Sequence, residues 1–305
     1  YFKGTKMERC TLIGQQESLE TFKPESLHNF YATWYHPDMQ AVIVVGDVDV
    51  DRTEAKIKEI FSIIPKCENP QPKEHLTMPD HADPYVGVIT DPETTNPSIE
   101  MIWHSEAAPE IYNSTIIGPT NDLIKVLVQL VMQERFADIV SKSDSPYLAA
   151  SLSVGSLNYE DIDAVTGGVA LKEDNIMGGF KAFYTELERM KRFGFGDDEV
   201  NRAKQQIVTI FENEVKKAPT RRNAEFVRPL ISHFFDNDSF MEPETELQVV
   251  NQILAQVNAQ ILSMVAGQLL TDNNLIVLYS GPEKEGIATP TEEQILAAIE
   301  EVKGC

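Results

Sequence analysis

Cysteine is scarce: Cys10, Cys67 and Cys305 are odd in number and widely scattered. They offer no CxxC pair for zinc or redox work and no disulfide framework, so the redox compartment stays open. Long apolar runs are missing as well. The longest strongly apolar run, Ala41 to Val45, is far shorter than the roughly 20 residues a membrane-crossing helix needs, so no membrane span is expected. Positive charge is in short supply, with 26 Lys and Arg against 48 Asp and Glu and a net charge of -22. Such a field repels a phosphate backbone. The nearest basic cluster, Lys216, Lys217, Arg221 and Arg222, reads as a solvated helix face, and no nucleic-acid partner is expected.

Catalytic motifs are lacking too. The histidines are His28, His36, His75, His81, His104 and His233, and no two are spaced as HExxH, HxxEH or a zinc-finger pair. His75 and His81 with Asp80 and Asp83 make the only candidate metal cluster, in a proline-rich stretch where organising ligands costs chain entropy. The expectation for metal is none. No GxSxG elbow holds a serine, and Gly194-Phe195-Gly196 joins two helical patterns instead of following a strand. Paired carboxylates such as Asp197-Asp198 are not diagnostic in so acidic a chain and are better placed at a helix N-terminus. No catalytic residue is assigned.

What is present is an ordinary globular composition, 42% apolar and 24% charged, over 305 residues. That length allows about two domains. Leu27, Phe30, Tyr31 and Trp34 fall at helical spacing after Pro24, and His36-Pro37-Asp38 stops that helix. Ala41–Val45 then reads as a buried strand, with Asp51 capping a helix through Ile57, Ile60, Phe61 and Ile64. The stretch from Pro65 to Pro84 holds five prolines and reads as a linker.

Beyond it, strands are expected at Tyr85–Thr90, Ser98–His104, Tyr147–Leu157, Ala164–Leu171 and Leu275–Tyr279. Apolar stripes from Leu123 toward Ile139, Ile176–Met190, Val200–Ile210, Val227–Phe234, Leu247–Leu254 and Ile261–Leu269 predict helices that pack a core, with Pro229 kinking one of them. A last helix opens on the capping box Thr291 to Gln294. Helix, turn, apolar strand, glycine and helix thus occur near residues 24–64 and again near 258–302, an internal repeat. The repeat makes the first unit the tail of a domain shaped like the second. The chain opens at Tyr1 without a methionine or signal-like segment and reads as an excised piece.

Phe22-Lys23-Pro24-Glu25-Ser26-Leu27, Trp34-Tyr35-His36-Pro37-Asp38-Met39-Gln40 and Val44-Val45-Gly46-Asp47-Val48-Asp49 resemble the stretch closing the first domain of a half in the pitrilysin/insulinase zinc peptidases. Gly194-Phe195 through Glu199 and Arg202-Ala203-Lys204 are similar to a late helix opening in the second domain, and Thr271–Leu275 with Gly281–Lys284 to its close. The likeness extends to the long bacterial periplasmic members, the PqqL type. It implies an α+β fold of pitrilysin-like domains, each an antiparallel sheet packed by helices, with the first domain truncated. The expected division is 1–64 for the end of that domain, 65–84 for the linker and 85–305 for a second, non-catalytic domain.

The family's zinc motif, HxxEH, lies ahead of the matched segment. The resemblance therefore implies zinc in the parent protein and none in this segment, which alone is expected to be inactive. It implies as partners a peptide substrate, the upstream zinc-bearing domain and the second half of the parent, in a bacterial periplasm. The family also supplies, from its non-zinc half, an arginine and a tyrosine seven residues later that bind substrate. Here the tyrosine is kept as Tyr147, a candidate substrate-binding residue, but Val140 stands in the arginine's place. Arg135 belongs to an earlier position of the same helix, and a strand aromatic packed in a sheet is the other reading of Tyr147. The break fits the second domain of the zinc-bearing half, one wall of a peptide chamber whose sheet edges could take an extended substrate. The alternative is a homologue that lost catalysis and kept a structural or recognition role.

Overall fold

The computed structural model describes residues 2–9, 14–72, 75–157 and 161–304. Three helices come first, α1 (Gln16–Thr21), α2 (Pro24–Trp34) and α3 (Val50–Phe61). Pro24 opens α2 at its first turn, where its missing N–H costs nothing. Asp49, not Asp51, caps α3, its carboxylate accepting from the Arg52 N–H at 2.9 Å. Residues 41–45 form no strand. A strand is defined by its neighbours, and none of the described residues pairs with this segment.

The rest is built on one five-stranded sheet of β1 (Tyr85–Asp91), β2 (Ser98–Glu106), β3 (Ala149–Ser156), β4 (Ile162–Ala170) and β5 (Leu275–Pro282). Its order is β1-β5-β2-β4-β3, antiparallel except for the parallel pair β1–β5. The α+β class is as expected, and the parallel pair is a detail that no local pattern encodes. Between β2 and β3 lies α4 (Ile117–Val140); between β4 and β5 come α5 (Ile176–Phe193), α6 (Asp197–Lys217), α7 (Asn223–Asp236), α8 (Pro243–Gln256) and α9 (Ala259–Leu269); α10 (Glu292–Lys303) follows β5. No single described helix is long and apolar enough to cross a membrane.

Strand alternation sends one row of side chains to the helices. Ile99, Met101 and Trp103 of β2, Val165 and Val169 of β4, and Val277 and Tyr279 of β5 meet Leu127, Val131, Phe136, Phe180, Phe183 and Leu187 in the main core. Gly167 completes that face because a Cβ there would come within 3.0 Å of Phe183. Truncating Phe183, which is fully buried, would cost about 3–5 kcal/mol by the usual cavity penalty. The stripe of α7 departs from expectation: none of its residues is buried. Ile231, Phe234 and Phe235 instead share a groove of about 450 Å³ with Met39, Val42, Phe61 and Ile64 of the first unit.

Candidate functional site

The registers lay out the second face of the sheet in rows. Ile89, Ser280, Ser98, Ala170 and Ala149 form the first, and Gly87, Leu278, Glu100, Gly168 and Ser151 the second. Tyr85, Ile276, Ile102, Thr166 and Ser153 form the third, with His104 and Ala164 beside them in a fourth. The lower rows are covered. Phe2 and the linker residues Leu76 and Met78 pack with Tyr85 over Ile102, Leu157, Ile162, Ala164 and Ile276 as a second, smaller core. The upper rows are open and form a shallow trough of about 540 Å³ lined by small residues, Ser98, Ala149, Ser151, Gly168, Ala170 and Ser280 among them.

Beside this trough runs β3, an edge strand. Its outward groups are not all unpaired, since the Gln129 side chain of α4 accepts the Val154 N–H at 3.2 Å. An edge strand has the chemistry to hold an extended peptide by main-chain hydrogen bonds.

Tyr147 lies just before β3 with 1% of its surface exposed, inside the main core. Burial pushes its phenol up to about 12, with Glu186 adding to the rise, and its hydroxyl has no hydrogen-bond partner among the described residues. The side chain therefore presents no surface to a substrate in this conformation. Val140 ends α4 and packs against the same core. Arg135, one turn earlier, is engaged elsewhere: its Nε and Nη2 donate to the two oxygens of Glu199 at 2.6 and 2.9 Å, and Nη2 also to the Gly194 carbonyl at 2.8 Å. Its guanidinium lies 5.0 Å from the Phe195 ring. This fork ties α4 to the α5–α6 joint, and its pull holds the Glu199 carboxyl below the usual range. Glu199 in turn accepts the Gly196 N–H at 2.7 Å at the start of α6, where Asp197 and Asp198 also sit.

The histidines are dispersed. His75 meets Asp161 at 2.7 Å, His233 meets the Asp238 carbonyl at 2.7 Å, and only His81 and His104 approach one another, with ring centroids 5.4 Å apart. The linker set that is the one candidate cluster in the sequence, with no metal expected there, is split: Asp80 bonds the Asn274 side chain, and Asp83 offers His81 its carbonyl, not its carboxylate. Among the described residues no group of three or more His, Cys, Asp or Glu is arranged to hold a metal. The His81–His104 approach was not legible in sequence, since 23 positions separate the two and only strand alternation puts His104 on the linker-covered face.

Comparison with known proteins gives this geometry a family. Residues 21–207 match the family described as "Peptidase M16 inactive domain". The chain is 25% identical over 256 residues to "Probable zinc protease PqqL" of Escherichia coli, covering 82% of this chain and 26% of that protein. It is 20% identical over 275 residues to the protein of the same description in Haemophilus influenzae, covering 88% and 29%. The crystal structure of the periplasmic protease PqqL from Escherichia coli superposes with a TM-score of 0.86 at 20% identity, covering all of this chain and 33% of that one. This chain thus spans between a quarter and a third of the length of the curated relatives it matches. With more than half of its length under the family model, the chain belongs to the M16 peptidases, as an inactive domain of the kind found in PqqL-like zinc proteases.

Proposed function

We propose that this chain is the non-catalytic part of a zinc metalloendopeptidase, one wall of a peptide chamber that supports an upstream HxxEH domain. The observation that carries the reading is a contrast between two copies of one pattern. In α9–β5–α10 the apolar face is buried through Leu262, Ala266, Val277, Ile295 and Ile299. In the segment around α2 and α3 the corresponding face is bare, with Leu27 60%, Tyr31 64% and Val44 48% exposed. Apolar faces of this kind mark a missing partner. On this reading residues 1–64 are the end of a first peptidase domain, 65–84 the connection, and 85–305 the second domain, and residues 41–45 become a strand once the rest of the first sheet stands beside them.

Zinc then belongs to the upstream domain, with two histidines as ligands and a glutamate as base on the bound water. The peptide substrate would lie along the open trough and the β3 edge, with the second half of the parent closing over it. By likeness to the periplasmic relative, the bacterial periplasm is the proposed compartment. Tyr147 keeps the family's tyrosine position, but substrate contact through it would require the segment before β3 to open.

Filling the trough tests the wall. Ser98→Trp in the zinc-bearing parent is expected to raise KM for an unstructured peptide with zinc content unchanged. An unchanged KM would remove the trough from the substrate path. A parent with a degenerate upstream motif, binding no zinc, would favour the structural or recognition homologue.

A further inference from the structure

The linker is fastened across the sheet at two points. Near its middle, Asp161 accepts the Leu76 N–H at 2.9 Å and faces His75 Nδ1 at 2.7 Å. Near its end, Asn274 makes a four-bond knot. Its side-chain oxygen accepts the His81 N–H at 2.9 Å, its own N–H donates to the His81 carbonyl at 2.9 Å, and its side-chain N–H donates to Asp80 at 2.7 Å. Its carbonyl accepts the His104 N–H at 3.3 Å. Asn274 holds φ at +61°, a left-handed conformation that asparagine tolerates better than most residues.

The knot brings two imidazoles together in a place with little to offer a proton. His81 stacks on Tyr85 at 3.8 Å and lies 5.4 Å from His104, which is 3% exposed. His81 Nδ1 donates to the Asp83 carbonyl at 2.8 Å, so in the neutral ring Nε2 carries the lone pair. Nε2 of His81 and Nε2 of His104 are both buried, without a hydrogen-bond partner among the described residues. A proton added there would create a buried N–H with no acceptor, and two such rings would repel.

We propose that His104, packed beside His81, is a pH-sensitive latch: while its imidazole is neutral the linker end at 77–84 is held on the sheet, and when it takes up a proton that end lifts and uncovers the smaller core. The surrounding charges work in both directions. Asp80 favours protonation of His104; Lys3, 4.5 Å from the centroid of the Tyr85 ring on which His81 stacks, opposes it. At the other fastening Asp161 holds the Leu76 N–H at 2.9 Å and His75 Nδ1 at 2.7 Å, so the linker hinges there. For His104 the balance falls on the neutral side: burial first, then His81, hold it below the ordinary histidine range, against the pull of Asp80. A base held neutral by folding contributes stability that is full above the unfolded value near 6.5 and is lost as pH falls from there toward the folded one.

Two amides report on the knot directly, those of His81 and Asn274. Their hydrogen-exchange protection, corrected for intrinsic rate, is measured in this chain at pH 7.5 and 5.5 against the amides of central strand β5. The expected result is a loss of roughly threefold or more in both that β5 does not share, and that is flattened in His104→Leu. His81→Phe, which keeps the stacking on Tyr85, is the second variant should His104→Leu fail to fold. No loss in the unaltered chain, a loss shared with β5, or an equal loss in a folded variant would each overturn the latch.

Discussion

Gly194→Ala puts the joint of four helices under a measurable load. Gly194 closes α5 at φ +65° and ψ -139°, where an L side chain is strained. Holding a non-glycine residue in such a region costs about 1–3 kcal/mol. A methyl there would also lie 2.2 Å from Cβ of Ser263 and 3.1 Å from its Cα, so the conflict involves the α9 backbone and cannot be relieved by a rotamer change. Overpacking of this kind adds about 1–3 kcal/mol. The same substitution disturbs the Phe195 N–H bond to the Ser263 hydroxyl, 2.9 Å, and the Arg135 bond to the Gly194 carbonyl, 2.8 Å. The sum is a destabilisation of about 2–6 kcal/mol, a large part of what an ordinary domain has. Urea unfolding followed by tryptophan fluorescence reads it, since Trp103 sits in the core that α5 covers. The double variant Gly194→Ala with Ser263→Gly should relieve the contacts with Cβ and Oγ and leave both the backbone cost and the loss of the Phe195 hydrogen bond. A loss below about 1 kcal/mol for the single change would refute the argument for this joint.

Other consequences are as concrete. Arg135→Met breaks the fork on Glu199 and should cost about 2–4 kcal/mol at pH 7, read as a shift in the urea midpoint. Because the Glu199 carboxyl is held below its ordinary value of 4.5, the difference should be complete above that pH and shrink as pH falls below it. Tyr147→Phe should leave stability within about 0.5 kcal/mol, since the hydroxyl is buried and has no partner among the described residues, and should leave peptide KM in the parent unchanged. A raised KM would restore Tyr147 as a substrate contact. Glu246, pushed up mainly by burial on α8, penalises the fold while ionised, so Glu246→Gln should raise the melting temperature at pH 7 and lose that advantage near pH 4.

Much of the fold was legible because its elements carry strong periods. The stripes of α5 and α8, the strands of the sheet and the Thr291–Gln294 cap all announce themselves locally, and the cap appears as two reciprocal bonds of 3.0 and 3.3 Å. What escaped depends on partners distant in sequence. Ala41–Val45 has the composition of a strand but needs neighbours that none of the described residues supplies. The stripe of α7 has helical spacing yet faces the first unit across a groove, and spacing alone does not say what a face meets. The parallel pairing of β1 with β5 joins residues nearly two hundred positions apart. The proline-rich linker read as a tether because its prolines are visible, whereas Leu76, Met78 and His81, which hold it to the sheet, are single residues without a pattern. The trough likewise emerges only when four registers align Ile89, Ser280, Ser98, Ala170 and Ala149 in one row.

The central claim is a division of labour, with the metal upstream and a supporting wall here. Its most direct test compares a zinc-bearing parent protein with the same protein lacking residues 85–305, by zinc content and by cleavage of an unstructured peptide. The account predicts one zinc per parent chain, cleavage abolished by a chelator, and cleavage lost on deletion while zinc is retained by whatever first domain still folds. A parent without zinc, or a deletion variant that cleaves as well as the intact protein, would contradict it.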